Sequence, residues 1–142
     1  MKKLLIINGP NLNMLGKRDA SVYGSETYDD LLKMIGDKSE ELGVRTEVFQ
    51  SNHEGAIIDR IQDAMTDGTE ALIINAGAYT HYSYAIRDAL EILKMPKIEI
   101  HISDVENRED FRKISVITEV CTSRIIGMGT AGYLKAMEEA VK

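Results

Sequence analysis

Tryptophan is absent from this chain, and cysteine occurs once, at Cys121. A single thiol allows no intrachain disulfide, which suits a reducing compartment, so a cytoplasmic location is the expectation. Positive charge is also short: 17 Lys and Arg stand against 23 Asp and Glu, a formal net charge of -6. That balance argues against nucleic acid or an anionic membrane surface as partner, and any anionic ligand would need a local cationic pocket. No apolar run approaches membrane-spanning length. The opening Met1-Lys2-Lys3 and its four apolar followers are too short for a signal peptide and lead into a strand. The three histidines lack metal-ligand spacing and Cys121 has no partner, so no metal site is expected. Repeats, low-complexity tracts and linkers are missing as well.

What is present is ordinary for a globular protein: 142 residues, 44% hydrophobic and 28% charged, read as one domain over 1–142. Five apolar runs have strand length: Leu4–Ile7, Val44–Phe49, Ala71–Asn75, Ile98–Ile102 and Arg124–Gly127. Helical stripes separate them. Tyr28, Leu31, Leu32, Ile35 and Leu42 make the first, with Thr27 and Asp30 as its cap and Gly43 as its end. Ile57, Ile58, Ile61, Ala64 and Met65 make the second, opened by Asn52 and ended near Gly68. Ala85, Ile86, Ala89, Leu90 and Leu93 make the third, stopped before Met95-Pro96, and Leu134, Met137 and Val141 the fourth. Arg108–Lys113 leaves room for a short turn only. Strand–helix alternation at this spacing predicts an α/β fold: a flavodoxin-like, doubly wound, five-stranded parallel sheet with helices on both faces. Ligands bind such sheets beyond the carboxyl ends of the strands.

The connection from Asn8 to Thr27 is far longer than a usual strand-to-helix link, the mark of a lid or binding loop. It carries Arg18 and Tyr23. An unperturbed tyrosine ionises near about 10 and is a poor base, whereas a neighbouring guanidinium stabilises phenolate. On these residues alone, a tyrosine that packs the loop is the commoner reading. Glu99, His101 and Ser103 alternate with Ile98, Ile100 and Ile102, so the polar three share one face of a strand. A carboxylate two positions from a histidine can accept its N–H and fix its tautomer. His101 lies where this fold binds ligands, which favours a site residue over a satisfied edge histidine. Asn75, at the end of the third run, is equally compatible with a ligand site and with a turn that bonds its own backbone.

His81 and Asp88 are seven residues apart, two turns along one face of the expected helix, though a lone Asp is ordinarily a solvated carboxylate. Arg108 and Arg112, four apart, are read either as a solvated face or as an anion clamp. His53-Glu54 suits capping, and Cys121 a packed core position. Gly127-Met128-Gly129-Thr130-Ala131-Gly132 matches a dinucleotide fingerprint in form. That fingerprint needs a following βαβ unit with an acidic residue about 20 positions on, which 142 residues cannot supply, so the glycines are read as a turn with close helix packing.

Eight blocks together resemble the type II dehydroquinases: Ile7–Arg18, Tyr23-Gly24, Phe49–Gly55, Ile74–His81, Ile86–Leu90, Glu99–Asp104, Arg108–Arg112 and Gly127–Tyr133. They span nearly the whole chain in family order and spacing. The resemblance implies a cofactor-free enzyme of flavodoxin-like fold, assembled as a dodecamer built from trimers. It would remove water from 3-dehydroquinate to give 3-dehydroshikimate, in the shikimate route to aromatic compounds. By the same resemblance Tyr23 is the base that takes a proton from the carbon beside the ketone, and Arg18 keeps it reactive. A water held by Asn11 meets the enolate oxygen. His101 is the general acid and Glu99 orients it. The N–H groups of Ile102 and Ser103 bind the substrate carboxylate, while Asn75, His81 and Arg112 hold its hydroxyls. Asp88 reaches the site from a neighbouring subunit.

Two departures stand out. The family loop, expected to be mobile over about 14–24, commonly reads Arg-Glu-Pro where this chain has Arg18-Asp19-Ala20, and losing proline loosens it. Tyr82 replaces a usually smaller residue. The competing functional class is a flavodoxin-like module that holds FMN or a phosphorylated ligand without turnover, disfavoured by the missing tryptophan and the missing Ser/Thr-rich first loop. A decayed scaffold subunit fits poorly with so many reactive positions.

Overall fold

Strands covered on both faces need apolar side chains at successive positions, and Leu4, Leu5, Ile6 and Ile7 are all without solvent exposure. In a computed structural model that describes residues 1–142, the five runs become β1 (Lys3–Asn8), β2 (Arg45–Gln50), β3 (Ala71–Asn75), β4 (Lys97–His101) and β5 (Ser123–Ile126). Every pairing is parallel, in the order β2-β1-β3-β4-β5. This is the flavodoxin-like order, whose winding reverses between β1 and β3.

Period-two alternation deals the strand residues to two cores. Leu4, Ile6, Ile73, Ile98 and Ile100 join Leu31 and Ile35 of α2 (Tyr28–Leu42) with Tyr133 and Met137 of α5 (Ala131–Ala140). Leu5, Ile7, Leu72 and Ile74 join Ile57 and Ile61 of α3 (Glu54–Asp63) with Ile86 and Leu90 of α4 (Tyr84–Ile92). Each fully buried aliphatic side chain contributes about 1.5–3 kcal/mol. α2 starts in a reciprocal cap: Thr27 Oγ1 accepts from Asp30 N at 3.1 Å and Asp30 Oδ2 accepts from Thr27 N at 3.0 Å. The glycine motif closes in as packing, since a Cβ on Gly132 would sit 3.3 Å from Ile100 Cδ1.

Several local expectations change. The long connection is partly ordered: a 3-10 turn covers Leu12–Met14 and a one-turn helix, α1, covers Ala20–Tyr23. Asp19 caps α1, accepting from Ser21 N at 2.9 Å, so a side-chain cap restrains this part of the connection. Asn52 does not open α3. Its Oδ1 accepts from Asn11 N at 3.0 Å and from Gln50 Nε2 at 3.2 Å, and the helix begins after His53 without a side-chain cap. Leu32 and Met65 lie on the solvent side of their helices. Cys121 is only partly buried at the edge of the second core, and burial, then the charge of Glu99, push its thiol up to about 12.

The two turns at the winding reversal come very close. Gly9 N donates to Asn75 O at 2.7 Å, and a Cβ on Gly9 would lie 2.5 Å from Ala76 O. Gly77, at φ +59, crosses over Pro10 O. Gly9→Ala should therefore cost about 1–3 kcal/mol of unfolding free energy, as overpacking does. Chemical denaturation measures it; an unshifted midpoint would show that these turns yield freely.

Candidate active site

Two opposite crossovers leave a crevice beyond the carboxyl ends of β1 and β3, where Asn8 and Asn75 stand side by side in register. A cleft opens there, about 640 Å³ of space counted together with the solvent at its mouth. It collects Asn11, Arg18 and Tyr23 from the first connection, Asn75 and His81 from the end of β3, and His101, Ile102, Ser103 and Arg112 from β4 and the segment after it. Glu99 sits behind His101 with no exposure of its own. Of the expected site residues, only Asp88 falls outside this constellation.

Asp88 is exposed on α4, and its expected relation to His81 does not hold. The 3-10 turn Gly77–His81 ends before α4 starts at Tyr84, so the two share no helical face. Ser83 makes the break, its hydroxyl capping α4 by accepting from Ile86 N at 3.1 Å. Arg108 and Arg112 do not lie on one turn. Arg108 lies extended between the turns Val105–Asn107 and Asp110–Lys113, yet both guanidiniums line the cleft.

Tyr23 is bracketed by cations. The Arg18 guanidinium carbon lies 3.9 Å from the ring centroid and that of Arg108 lies 5.1 Å away. Such face-on contacts are favourable. Arg108 is held by donating Nη1 to Ser103 Oγ at 3.0 Å. Its place beside Tyr23 had no sequence signal beyond being an arginine in a strand-end segment.

His101 donates Nε2–H to Glu99 Oε2 at 2.6 Å, which leaves Nδ1 as the other ring nitrogen. Ser115 and Thr118 hydroxyls donate to the same carboxylate. Burial alone would raise the Glu99 carboxyl, but the hydrogen bond and charge of His101, with Thr118 and Ser115, outweigh it and hold Glu99 below the ordinary value. His81 is pushed down by burial, against the pull of the Ile114 carbonyl. Its Nδ1 lies 2.7 Å from that carbonyl and must donate to it, which leaves Nε2 of the neutral ring as an acceptor.

Asn75 serves both roles that its sequence allowed. Its Oδ1 accepts from Gly77 N at 3.2 Å and its Nδ2 donates to Tyr133 Oη at 3.0 Å, yet it still lines the cleft. Tyr133 in turn donates to Asn8 Oδ1 at 2.6 Å. Asn11 is the one non-glycine residue at positive φ, 71°, a conformation asparagine tolerates better than most residues. The main-chain N–H groups of Ile102 and Ser103 are engaged by no protein acceptor, while their carbonyls accept from Gly129 and Gly127. The cleft thus offers two free N–H donors beside cations to something anionic.

A family model for class II dehydroquinase matches residues 2–141. The chain belongs to the class II dehydroquinase family. A 3-dehydroquinate dehydratase of Thermotoga neapolitana is 62% identical over 136 residues, covering 96% of this chain and 92% of that protein. One from Lachnoclostridium phytofermentans is 55% identical over 139 residues, covering 98% and 96%. The crystal structure of a type II dehydroquinase from Butyrivibrio crossotus superposes with a TM-score of 0.98 at 51% identity, over 99% of this chain and 98% of the other. That from Propionibacterium acnes gives 0.95 at 40%, over 100% and 98%.

The charge states in this dehydroquinase family member predict its acid sensitivity. Glu99 and His81 both have folded values below their ordinary 4.5 and 6.5. The unfolded chain therefore binds the extra proton more readily, and stability present at higher pH is lost as the pH falls. The melting temperature should decline on acidification below about pH 6.5 and again below about 4.5. Glu99→Gln should flatten the lower step in calorimetry; an unchanged step would mean that the Glu99 charge does not stabilise the fold.

Proposed function

We propose that this chain is a 3-dehydroquinate dehydratase that eliminates water through an enolate, without a cofactor, giving 3-dehydroshikimate in the shikimate route. The observation that carries the reading is the joint presence in one cleft of Tyr23 under two guanidiniums and His101 on a buried carboxylate.

Tyr23 is assigned as the base for the proton beside the ketone. Arg18 and Arg108 place positive charge over its ring, beside the group that takes the proton. The developing enolate oxygen is met by a water held by Asn11, a neutral donor fixed before the reaction. His101 is assigned as the general acid: it protonates the departing hydroxyl, and Glu99 holds its ring through the Nε2 hydrogen bond. The free N–H groups of Ile102 and Ser103 take the substrate carboxylate, and Asn75, His81 and Arg112 take its hydroxyls. His81 suits this because a neutral ring with Nε2 free can accept a hydroxyl proton.

The proposal extends to assembly and motion. Asp88, exposed on α4, is assigned to a neighbouring protomer's cleft in a dodecamer of trimers, which makes activity depend on association. Residues 14–24 of the single domain act as the lid. No helix is long and apolar enough to cross a membrane, and a cytoplasmic place is assigned by the lone thiol and the pathway.

Adding 3-dehydroquinate to the metal-free, nucleotide-free protein should produce the ultraviolet absorbance of a conjugated enone. Tyr23→Phe and His101→Ala should each lower turnover by at least ~10²-fold with the circular dichroism spectrum unchanged. Turnover like that of the unmodified protein in either variant would remove the assigned roles.

A further inference from the structure

The Glu99–His101 pair has a neighbour that the cleft does not display. Arg124 of β5 stands opposite Glu99 in the parallel register, so both side chains leave the same face of the sheet. Its Nε lies 3.7 Å from Glu99 Oε2, the oxygen that accepts from His101. On its other side Nη1 donates to Glu106 Oε1 at 3.2 Å, in the turn that leads to Arg108. Nε and Nη2 are buried and have no hydrogen-bond partner.

Two buried guanidinium nitrogens without partners, on a side chain that is only partly exposed, are costly unless the charge is used. Packing the aliphatic stem against the edge strand would not need the charge. Arg124 is the one arginine or lysine within 4.0 Å of the Glu99 carboxylate. The other groups facing the pair are distributed around it. His81 and Arg112 come from the turns on the cleft side, Tyr23 and Arg108 from elsewhere in the cleft lining, and the neutral Cys121 thiol from the approach to β5. Ser115 and Thr118 supply uncharged donors.

We propose that Arg124 is a positioning residue that offsets the charge of Glu99 and so sets how tightly the pair holds the proton that His101 delivers. This rests on the reading of His101 as the general acid. A carboxylate alone beside the imidazole favours the protonated ring and makes it a reluctant acid. A second cation on the same oxygen weakens that hold while the Ser115 and Thr118 hydroxyls keep the carboxylate in place. The dyad then orients the ring without trapping its proton, the balance a general acid needs.

The test uses Arg124→Gln and Arg124→Lys in the full-length protein, with kcat and KM for 3-dehydroquinate followed across pH and melting curves alongside. Arg124→Gln should move the alkaline limb of kcat upward by about half a pH unit or more and lower the plateau about 3–10-fold, with KM within about twofold. Arg124→Lys should return the limb most of the way. An alkaline limb unmoved in Arg124→Gln, whatever its melting temperature, would make Arg124 a packing residue and overturn the proposal, as would a lysine variant displaced as far as glutamine. Should Arg124→Gln fail to fold, Glu106→Gln tests the same charge from its other side. That change should move the limb downward, and a stationary limb overturns the proposal. Unmodified protein inert toward 3-dehydroquinate would defeat the assigned reaction instead. The NMR titration of the His101 imidazole in the resting protein would then still decide on Arg124: an upward displacement in Arg124→Gln supports it and none overturns it.

Discussion

Two asparagines end neighbouring strands at the point where the sheet changes its direction of winding, and one tyrosine hydroxyl joins them. Tyr133 accepts from Asn75 and donates to Asn8, while Asn8 reaches Tyr28 Oη at 3.3 Å. These groups lie deep in the protein, where an unmet polar partner costs about 1–3 kcal/mol. The network therefore fixes α2 and α5 to the ends of β1 and β3 at the place where the cleft begins. It also fixes which atom of the Asn75 amide faces which neighbour. Burial, chiefly, pushes the Tyr133 hydroxyl far above its ordinary value, so it remains a neutral donor and acceptor.

Charge in the cleft runs against the charge of the whole molecule. A chain of net charge -6 gathers Arg18, Arg108, Arg112 and two histidines around one opening. Beneath them Glu99 is fully buried and engaged by His101, Ser115 and Thr118, while Glu109 pairs with both Arg108 and Arg112. One carboxylate against three guanidiniums leaves the rim positive for an anionic ligand. Acidic residues elsewhere keep the surface from attracting anions indiscriminately.

Most of the sheet was legible because a two-sided parallel sheet writes itself as plain apolar runs. The strand ends fall within one residue of the Leu4–Ile7, Ala71–Asn75 and Ile98–Ile102 readings. Alternation along Ile98–Ser103 was enough to put Glu99 and His101 on one face. What pattern could not supply were interactions set by a single side chain. Ser83 ends one turn and caps another, which separated His81 from Asp88. Asn52 was free to cap α3 but is held by Asn11 and Gln50 across 41 and 2 residues of sequence. Arg108 joined the site through an irregular segment whose path no periodicity describes. Tyr133 stood outside the stripe of Leu134, Met137 and Val141, and its role went unread because its hydroxyl partners lie 58 and 125 residues away.

Beneath the cleft the two turns pack backbone on backbone: a Cβ on Gly9 would lie 2.5 Å from Ala76 O and one on Gly77 3.1 Å from Pro10 O. Turns packed this closely have nothing to trim and no room for additions. Evolution or design that seeks a larger, smaller or differently shaped ligand must work on the walls, chiefly the Val105–Lys113 turns and the Ala20–Tyr23 helix. Divergence in ligand preference among proteins with this architecture should accordingly concentrate in those two segments while the base stays constant.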